Sequence, residues 1–387
     1  MWLSNFRVIL ANEILDHGAI KIMDGKILEI SRSPVSNPDI DGHGLLLMPG
    51  LIDLHGDMIE QEVEPRPQVT MPFELGIRDL DRRLKMSGIT TAYASVAFNP
   101  AMSDGRLRSY EHSKRMLHAL REMRNKLAVD HRVHARFEVN FPNAMSVIEE
   151  LIADGTIDLV SLTDHTPGQG QFRDIERLIK SGQKKGMDRE EAEAYVTERI
   201  RSYTEGAGDT LATIRSIAQT CHKAAIPLAS HDDDTIEKVE LMNEVGASIS
   251  EFPVTTDAAH AAHALGLMNA MGAPNALRGQ SYSGNLSVRQ AHDEGLLDIL
   301  MADYHPSSML PAILILAKSN PEGLPGATRL ASVNPAIAMG LTDRGEIAID
   351  KRADLVIADD SGVGHVKATF VEGKPVYSEG PFSLATI

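Results

Sequence analysis

Five residues sit at the ends of apolar runs and carry the nitrogen and oxygen donors that divalent cations bind: His55, Asp57, His165, His231 and Asp303. The run LIDLHGD places His55 and Asp57 two residues apart, and strand alternation sends both side chains to the same face. LVSLTDH ends at His165, IPLASHDDD reaches His231 just before three carboxylates, and LLDILMADYH carries Asp303. Burying imidazole or carboxylate without partners is costly, so a shared ion explains all five together. HARFEVNF adds Glu138 at another strand end. It is expected either to bridge two ions or to pair with Arg136 or Arg132. An imidazole and carboxylate set suits zinc foremost, with manganese or iron as alternatives, and one or two ions are expected. Such an ion lowers the pKa of bound water to about 7 and supplies hydroxide at neutral pH. Hydrolysis is the expected reaction. Asp303 is the candidate catalytic residue, expected to touch an ion and to take the proton of the attacking water. His112, His118, His222, His260, His263 and His292 fall in helical stretches and read as surface or core residues.

These residues need a scaffold that presents strand ends on one face. From about Leu51 onward, strand-like runs such as TTAYASVAF, HARFEVNF, IDLVSLTDH, IPLASHDD, ASISEFP and DILMADYH alternate with amphipathic stretches. The stretches include RSYEHSKRMLHALREMRNKL, MSVIEELIADG, DTLATIRSIAQTCHKAA and DTIEKVELMNEVG. Repeated strand-helix alternation over residues 51–341 predicts an α/β fold, a (β/α)8 TIM-like barrel with its chemistry at the C-terminal strand ends. Residues 1–50 and 342–387 hold short alternating runs separated by Gly and Asp, and they are expected to join in a small composite β-sandwich. Residues 173–208, rich in Arg, Lys and Glu, read as a solvated helical insertion.

Composition excludes several function classes. Among the 387 residues, Lys and Arg number 38 against 54 Asp and Glu, and the net charge of −16 opposes a nucleic-acid or anionic-membrane surface. Cys221, the single cysteine, supplies neither an intramolecular disulfide nor a thiolate cluster, which fits a reducing cytoplasm. No apolar run approaches the roughly 18 residues that span a bilayer, so a soluble protein is expected. A homodimer is common at this size, although no sequence stripe specifies one.

PGLIDLHGD after a β-rich start, SHDD in mid-chain, the Asp303 strand end and the closing SVNPAIAMGLTDRGEIAIDKRADLVI resemble the amidohydrolase superfamily across nearly the whole chain. The usual first signature there is His-x-His. Here it is His55-Gly56-Asp57, and Glu138 stands where many members carry a carboxylated lysine. With EVEPRPQVTMP, SLTDHTPGQGQF, EFPVTT, MGAPNALRGQSYSGN and ADYHPSSML, these departures resemble the phosphonate-metabolism branch. That resemblance implies a small anionic substrate, a ribose 1-phosphonate bearing a 5-triphosphate, cleaved to pyrophosphate and the 5-phosphate. Phosphate contacts are then expected from Arg278, Ser281, Ser283 and Asn285 in the Gly-rich segment MGAPNALRGQSYSGN, which otherwise is a plain turn. Arg66, between two prolines, is expected to reach the triphosphate or to lie on the surface. Gln169 and Gln171 sit in a loop expected to close over ribose or phosphate.

Two other readings share parts of this pattern. An amidohydrolase acting on a C–N bond, as a cyclic amidase, deaminase or N-acetyl-sugar deacetylase, would use the same ions but few phosphate donors. A scaffold that has lost its metal would lack the five donors.

Overall fold

The computed structural model describes the chain apart from residues 67–68, 99–108, 141–143, 206–208, 282–283 and 380–387. Eight runs become parallel strands: β1 Leu51–Gly56, β2 Ile89–Phe98, β3 Asp130–Glu138, β4 Leu159–Thr163, β5 Leu228–His231, β6 Ile249–Glu251, β7 Met268–Gly272 and β8 Ile299–Met301. Each pairs with its successor, so spatial order follows chain order. A parallel bridge between Gly56 and Asp303 brings β8 back to β1, and the sheet is a nearly closed barrel. Strands of this kind are covered on both faces, which is why their sequences are apolar almost throughout.

Side chains fill the barrel as alternation requires. A buried cluster takes Ile52, Leu54, Tyr93, Leu159, Ala229, Ile249, Ala270, Ile299 and Met301 from seven of the eight strands. The exception is β3, whose alternate residues His134, Arg136 and Glu138 are polar and buried. A larger cluster lies between strands and helices, where Leu80, Leu84, Leu117, Leu120, Leu151 and Ile217 meet Val96, Val133 and Val160. The four expected amphipathic stretches form helices Tyr110–Met123, Met145–Ala153, Thr210–Lys223 and Ile236–Glu244. Three of them open on a capping side chain, Ser109, Asp209 or Thr235, which accepts a backbone N–H of the first turn.

The two chain ends share a second sheet. Trp2–Ile9 lies centrally, antiparallel to Ile14–Met23 and parallel to Leu46–Pro49; Leu46–Pro49 in turn pairs with Leu355–Asp359, followed by His365–Val371 and Lys374–Ser378. Asp24 and Gly25, both at positive φ, form the two-residue turn that folds Ile14–Met23 onto Lys26–Ser31. Leu3, Phe6, Val8, Ile20, Ile27, Leu47, Leu355, Ile357 and Phe370 give this sheet its own core. Gly50 marks the passage into the barrel. A Cβ there would stand 2.3 Å from Thr90 Oγ1, so only glycine fits.

Arg344, in the closing pattern, is buried and ties the chain's return to the barrel. Its guanidinium reaches Thr91 Oγ1 at 2.9 Å and Asp130 Oδ2 at 2.8 Å, at the starts of β2 and β3. The charged insertion is a helix pair, Ile175–Lys184 and Arg189–Glu205, packed on a small core of Ile179, Ala192 and Val196. It is more than a solvated surface: Arg199 stacks on Phe172 with 4.5 Å to the ring centre and donates to the His165 carbonyl at 3.4 Å. No described helix is long and apolar enough to cross a membrane.

Candidate metal centre

Strand ends deliver the candidate ligands to one face. Asp53, two residues before His55, is fully buried. Its Oδ1 accepts the His55 N–H at 3.1 Å and the Ala302 N–H at 2.9 Å, which locks β1 to the end of β8. Above that lock, the Asp303 N–H donates to the His55 carbonyl at 2.8 Å and the Asp57 N–H to the Asp303 carbonyl at 3.0 Å. His55, Asp57 and Asp303 are thereby neighbours although 248 positions separate the first from the last. Asp232 and Asp303 hold φ of 54° and 56°, left-handed values that a short carboxylate side chain tolerates and that are common at functional turns.

A buried carboxylate organises the imidazoles. Glu251, the last residue of β6, lies 3.3 Å from His55 Nδ1 and 3.1 Å from His231 Nδ1, with His134 Nε2 at 3.7 Å. Glu138 does the same for His165, with Oε2 2.8 Å from Nδ1 and Oε1 accepting the His165 N–H at 2.8 Å. With their Nδ1 atoms beside carboxylates, the usual second-tier arrangement of metal-ligating histidine, these imidazoles would offer an ion Nε2; that of His55 lies 3.2 Å from Ser95 Oγ and 3.4 Å from Asp57 Oδ1. Asp232 Oδ2 lies 3.8 Å from His165 Nε2 and 3.7 Å from His231 Nε2, is buried, and has no hydrogen-bond partner among the described residues. Donor atoms of His165, His231 and Asp232 all fall within 4.8 Å of one another, as do those of His55, His231 and Glu251.

Electrostatics point the same way. Burial would depress the His55 imidazolium, yet Glu251 and Asp57 outweigh it and push its pKa up to about 10. Burial favours a neutral Glu251, yet His134 and His55 hold it well below the usual carboxylate range. His134 is driven down to about 3 by burial, against the pull of Glu251 and with help from the nearby His55, Arg136 and His231. The negative potential of Glu251 and Asp57 around His55 is one that a divalent cation would also satisfy. The orphaned Asp232 oxygen and the converging imidazole and carboxylate donors fit a cation.

Arg136 corrects one expectation. Glu138 pairs with neither Arg136 nor Arg132: Arg132 sits on Asp130, and Arg136 donates from Nη1 to Asp57 Oδ1 at 3.0 Å. The cavity over the strand ends is lined by His55, Asp57, Arg136, His231, Asp232 and Asp303, and also by Arg278, Ser281 and Asn285. Gln171 also faces it, whereas Gln169, two residues earlier, does not line it. Gln169 precedes the short turn Gly170–Phe172, whose Gly170 N–H is anchored on Asp234 at 2.8 Å. Arg66 is exposed in its own loop, bridged to Val69, and is not among the residues lining the cavity. Ser283 lies outside the described residues. Arg136, Asp232 and Glu251 are the site residues that sequence reasoning did not single out. Glu251 carries the signal used for the others, a carboxylate closing an apolar strand; Arg136 shares the inward face of β3 with Glu138.

An Escherichia coli strain K12 protein, alpha-D-ribose 1-methylphosphonate 5-triphosphate diphosphatase, is 36% identical to this chain over 386 residues, 97% of this chain and all of that one. The chain belongs to that diphosphatase family. No family model matches it. Among solved structures, N-acetyl-D-glucosamine-6-phosphate deacetylase from Mycobacterium smegmatis aligns with TM-score 0.64 and 17% identity, covering 97% of this chain and all of that one. A 5-methylcytosine deaminase from Klebsiella pneumoniae aligns with TM-score 0.65 and 14% identity over 98% of both chains. These likenesses show a shared amidohydrolase-type fold. The protein is a hydrolase.

Proposed function

We propose that this protein hydrolyses the triphosphate of alpha-D-ribose 1-methylphosphonate 5-triphosphate to the 5-phosphate and pyrophosphate. The observation that carries this reading is one cavity in which a convergent His and carboxylate cluster faces Arg278, Ser281 and Asn285. His55, Asp57, Glu138, His165, His231 and Asp303 are proposed to hold one or two divalent cations, zinc foremost, with Asp232 completing the set and Glu251 orienting His55 and His231. When bound, the cation lowers the pKa of water and draws charge from a phosphoryl oxygen. Asp303 then accepts the proton of the water that attacks the sugar-bearing phosphorus, and the bond to the pyrophosphate oxygen breaks. Arg278, Asn285 and Ser281 take the charge of the leaving pyrophosphate, with Ser283 in the same loop. Gln169 and Arg66, off the cavity wall, are assigned to outer contacts with the ribose and the phosphate tail.

Residues 51–341 are read as the catalytic barrel. Residues 1–50 and 342–387 are read as a composite sandwich unit, on the strength of their separate core. A cytoplasmic location accompanies this reading, in keeping with Cys221, a buried cysteine without a disulfide, and a homodimer is proposed only as common at this size. The test is a substrate panel: ribose and nucleoside 5'-triphosphates against N-acetyl-hexosamine 6-phosphate, cyclic amides and aminopyrimidines. Pyrophosphate release confined to triphosphates is the expected result; turnover of the amides alone would replace the phosphoryl reading with a C–N one.

A further inference from the structure

Arg136 is an unusual residue to find beneath a cation site. Its side chain is only 9% exposed, it lines the cavity, and its Nε–H is buried with no acceptor among the described residues. One partner is plain, Asp57 Oδ1 at 3.0 Å from Nη1. That contact fixes the plane of the guanidinium, because the fork is rigid and one held nitrogen orients the rest. A structural ion pair would bury its donors against protein oxygens; here the buried Nε–H has none, on a residue that lines the reaction cavity. Position adds to the argument. Arg136 precedes Glu138 by two residues on β3 and so shares its inward face, and it lines the same cavity as His55, His231 and Arg278.

We infer that Arg136 is a further catalytic residue, whose guanidinium contacts the phosphoryl group under attack and balances the charge that builds on its oxygens. Arg278, on the same cavity, serves the leaving pyrophosphate. The inference rests on the proposed phosphoryl chemistry and adds a cationic group to the acidic side of the site. A planar donor fork suits the equatorial oxygens of a phosphoryl group in flight, and its contribution is largest in the transition state. Asp57 acquires a second duty as the carboxylate that aims the fork.

The experiment compares Arg136→Met, Asp57→Asn and the double variant, each in the metal-loaded full chain. It reads kcat and KM for pyrophosphate release, bound metal per chain, and the affinity of a non-hydrolysable α,β-methylene nucleoside triphosphate. Arg136→Met is expected to keep its metal and to lose at least about 100-fold in kcat, with a much smaller change in KM and in analogue affinity. The double variant is expected to fall below Asp57→Asn alone, by less than Arg136→Met loses from the unsubstituted protein because the fork is then already unaimed. Should Arg136→Met fail to fold, Arg136→Lys keeps the charge and loses the fork, and a drop of about tenfold with full metal content supports the same assignment. Loss of metal in step with activity, or a double variant no worse than Asp57→Asn, would show that Arg136 acts only through Asp57 and would overturn the inference. Release by the unsubstituted protein with no loss in the variant overturns the inference alone; no release by the unsubstituted protein overturns it together with the proposed function.

Discussion

Asp303 joins a left-handed backbone to a carboxyl that burial, and then Asp57, push up to about 6. As a base it must be ionised, so activity is present above its pKa and lost as pH falls through it. A cation alongside lowers that value, and the acid limb of kcat/KM is therefore expected at or below about pH 6. A limb centred above pH 7 would remove Asp303 from the role. Asp303→Asn is expected to lower kcat about 1000-fold with the circular dichroism spectrum unchanged, and near-normal turnover would count against it. Glu251→Gln addresses the imidazoles instead: it keeps the shape but weakens the hold on two Nδ1 atoms. Metal affinity, read by competition with a chromogenic chelator, is expected to drop about 10–100-fold. At this scale the sequence shows His55, His165, His231 and Asp303 clearly, because each ends an apolar run with a group that is costly to bury alone. Arg136 was hidden for a physical reason. Alternation fixes its face, but whether it pairs with Glu138 or Asp57 depends on how β1 stands beside β3, which no local pattern encodes.

At the scale of elements, the strands that carry ligands were legible because their ends are polar and their bodies are not. Met268–Gly272, the β7 strand, escaped notice because Asn269 interrupts a five-residue run; in the fold that asparagine is buried and donates to the Ala259 carbonyl at 2.9 Å. Boundaries drifted for a similar reason, since HARFEVNF begins inside β3 and continues past its end at Glu138. The closing pattern that carried the family resemblance proves to be structural, for Arg344 pins the chain's return to the starts of β2 and β3. Arg344→Leu leaves Thr91 and Asp130 without that donor. A loss of about 3 kcal/mol is expected from the shift of the urea unfolding midpoint, with kcat for the remaining folded protein unchanged. An unmoved midpoint would mean that Arg124 and Arg132, which also face Asp130, suffice.

For the whole molecule, a net charge of −16 and a polyanionic substrate are reconciled by locality: the cavity that holds Asp57, Asp232 and Asp303 also carries Arg136 and Arg278, and a bound cation would offset its carboxylates. Barrel and flanking sheet were both foreseeable from the alternation of runs, but closure of the barrel was not, because it depends on β8 meeting β1 across 248 residues. The substrate came from the family resemblance and not from spacing, which reaches only as far as a metal hydrolase. The account stands on a cation held at the strand ends, and the most direct measurement is pyrophosphate release from a ribose 5-triphosphate as zinc or manganese is titrated into chelator-stripped protein. Release is expected to be absent in the stripped protein and to rise to a plateau at one or two equivalents. Release that survives stripping and ignores added metal would contradict it.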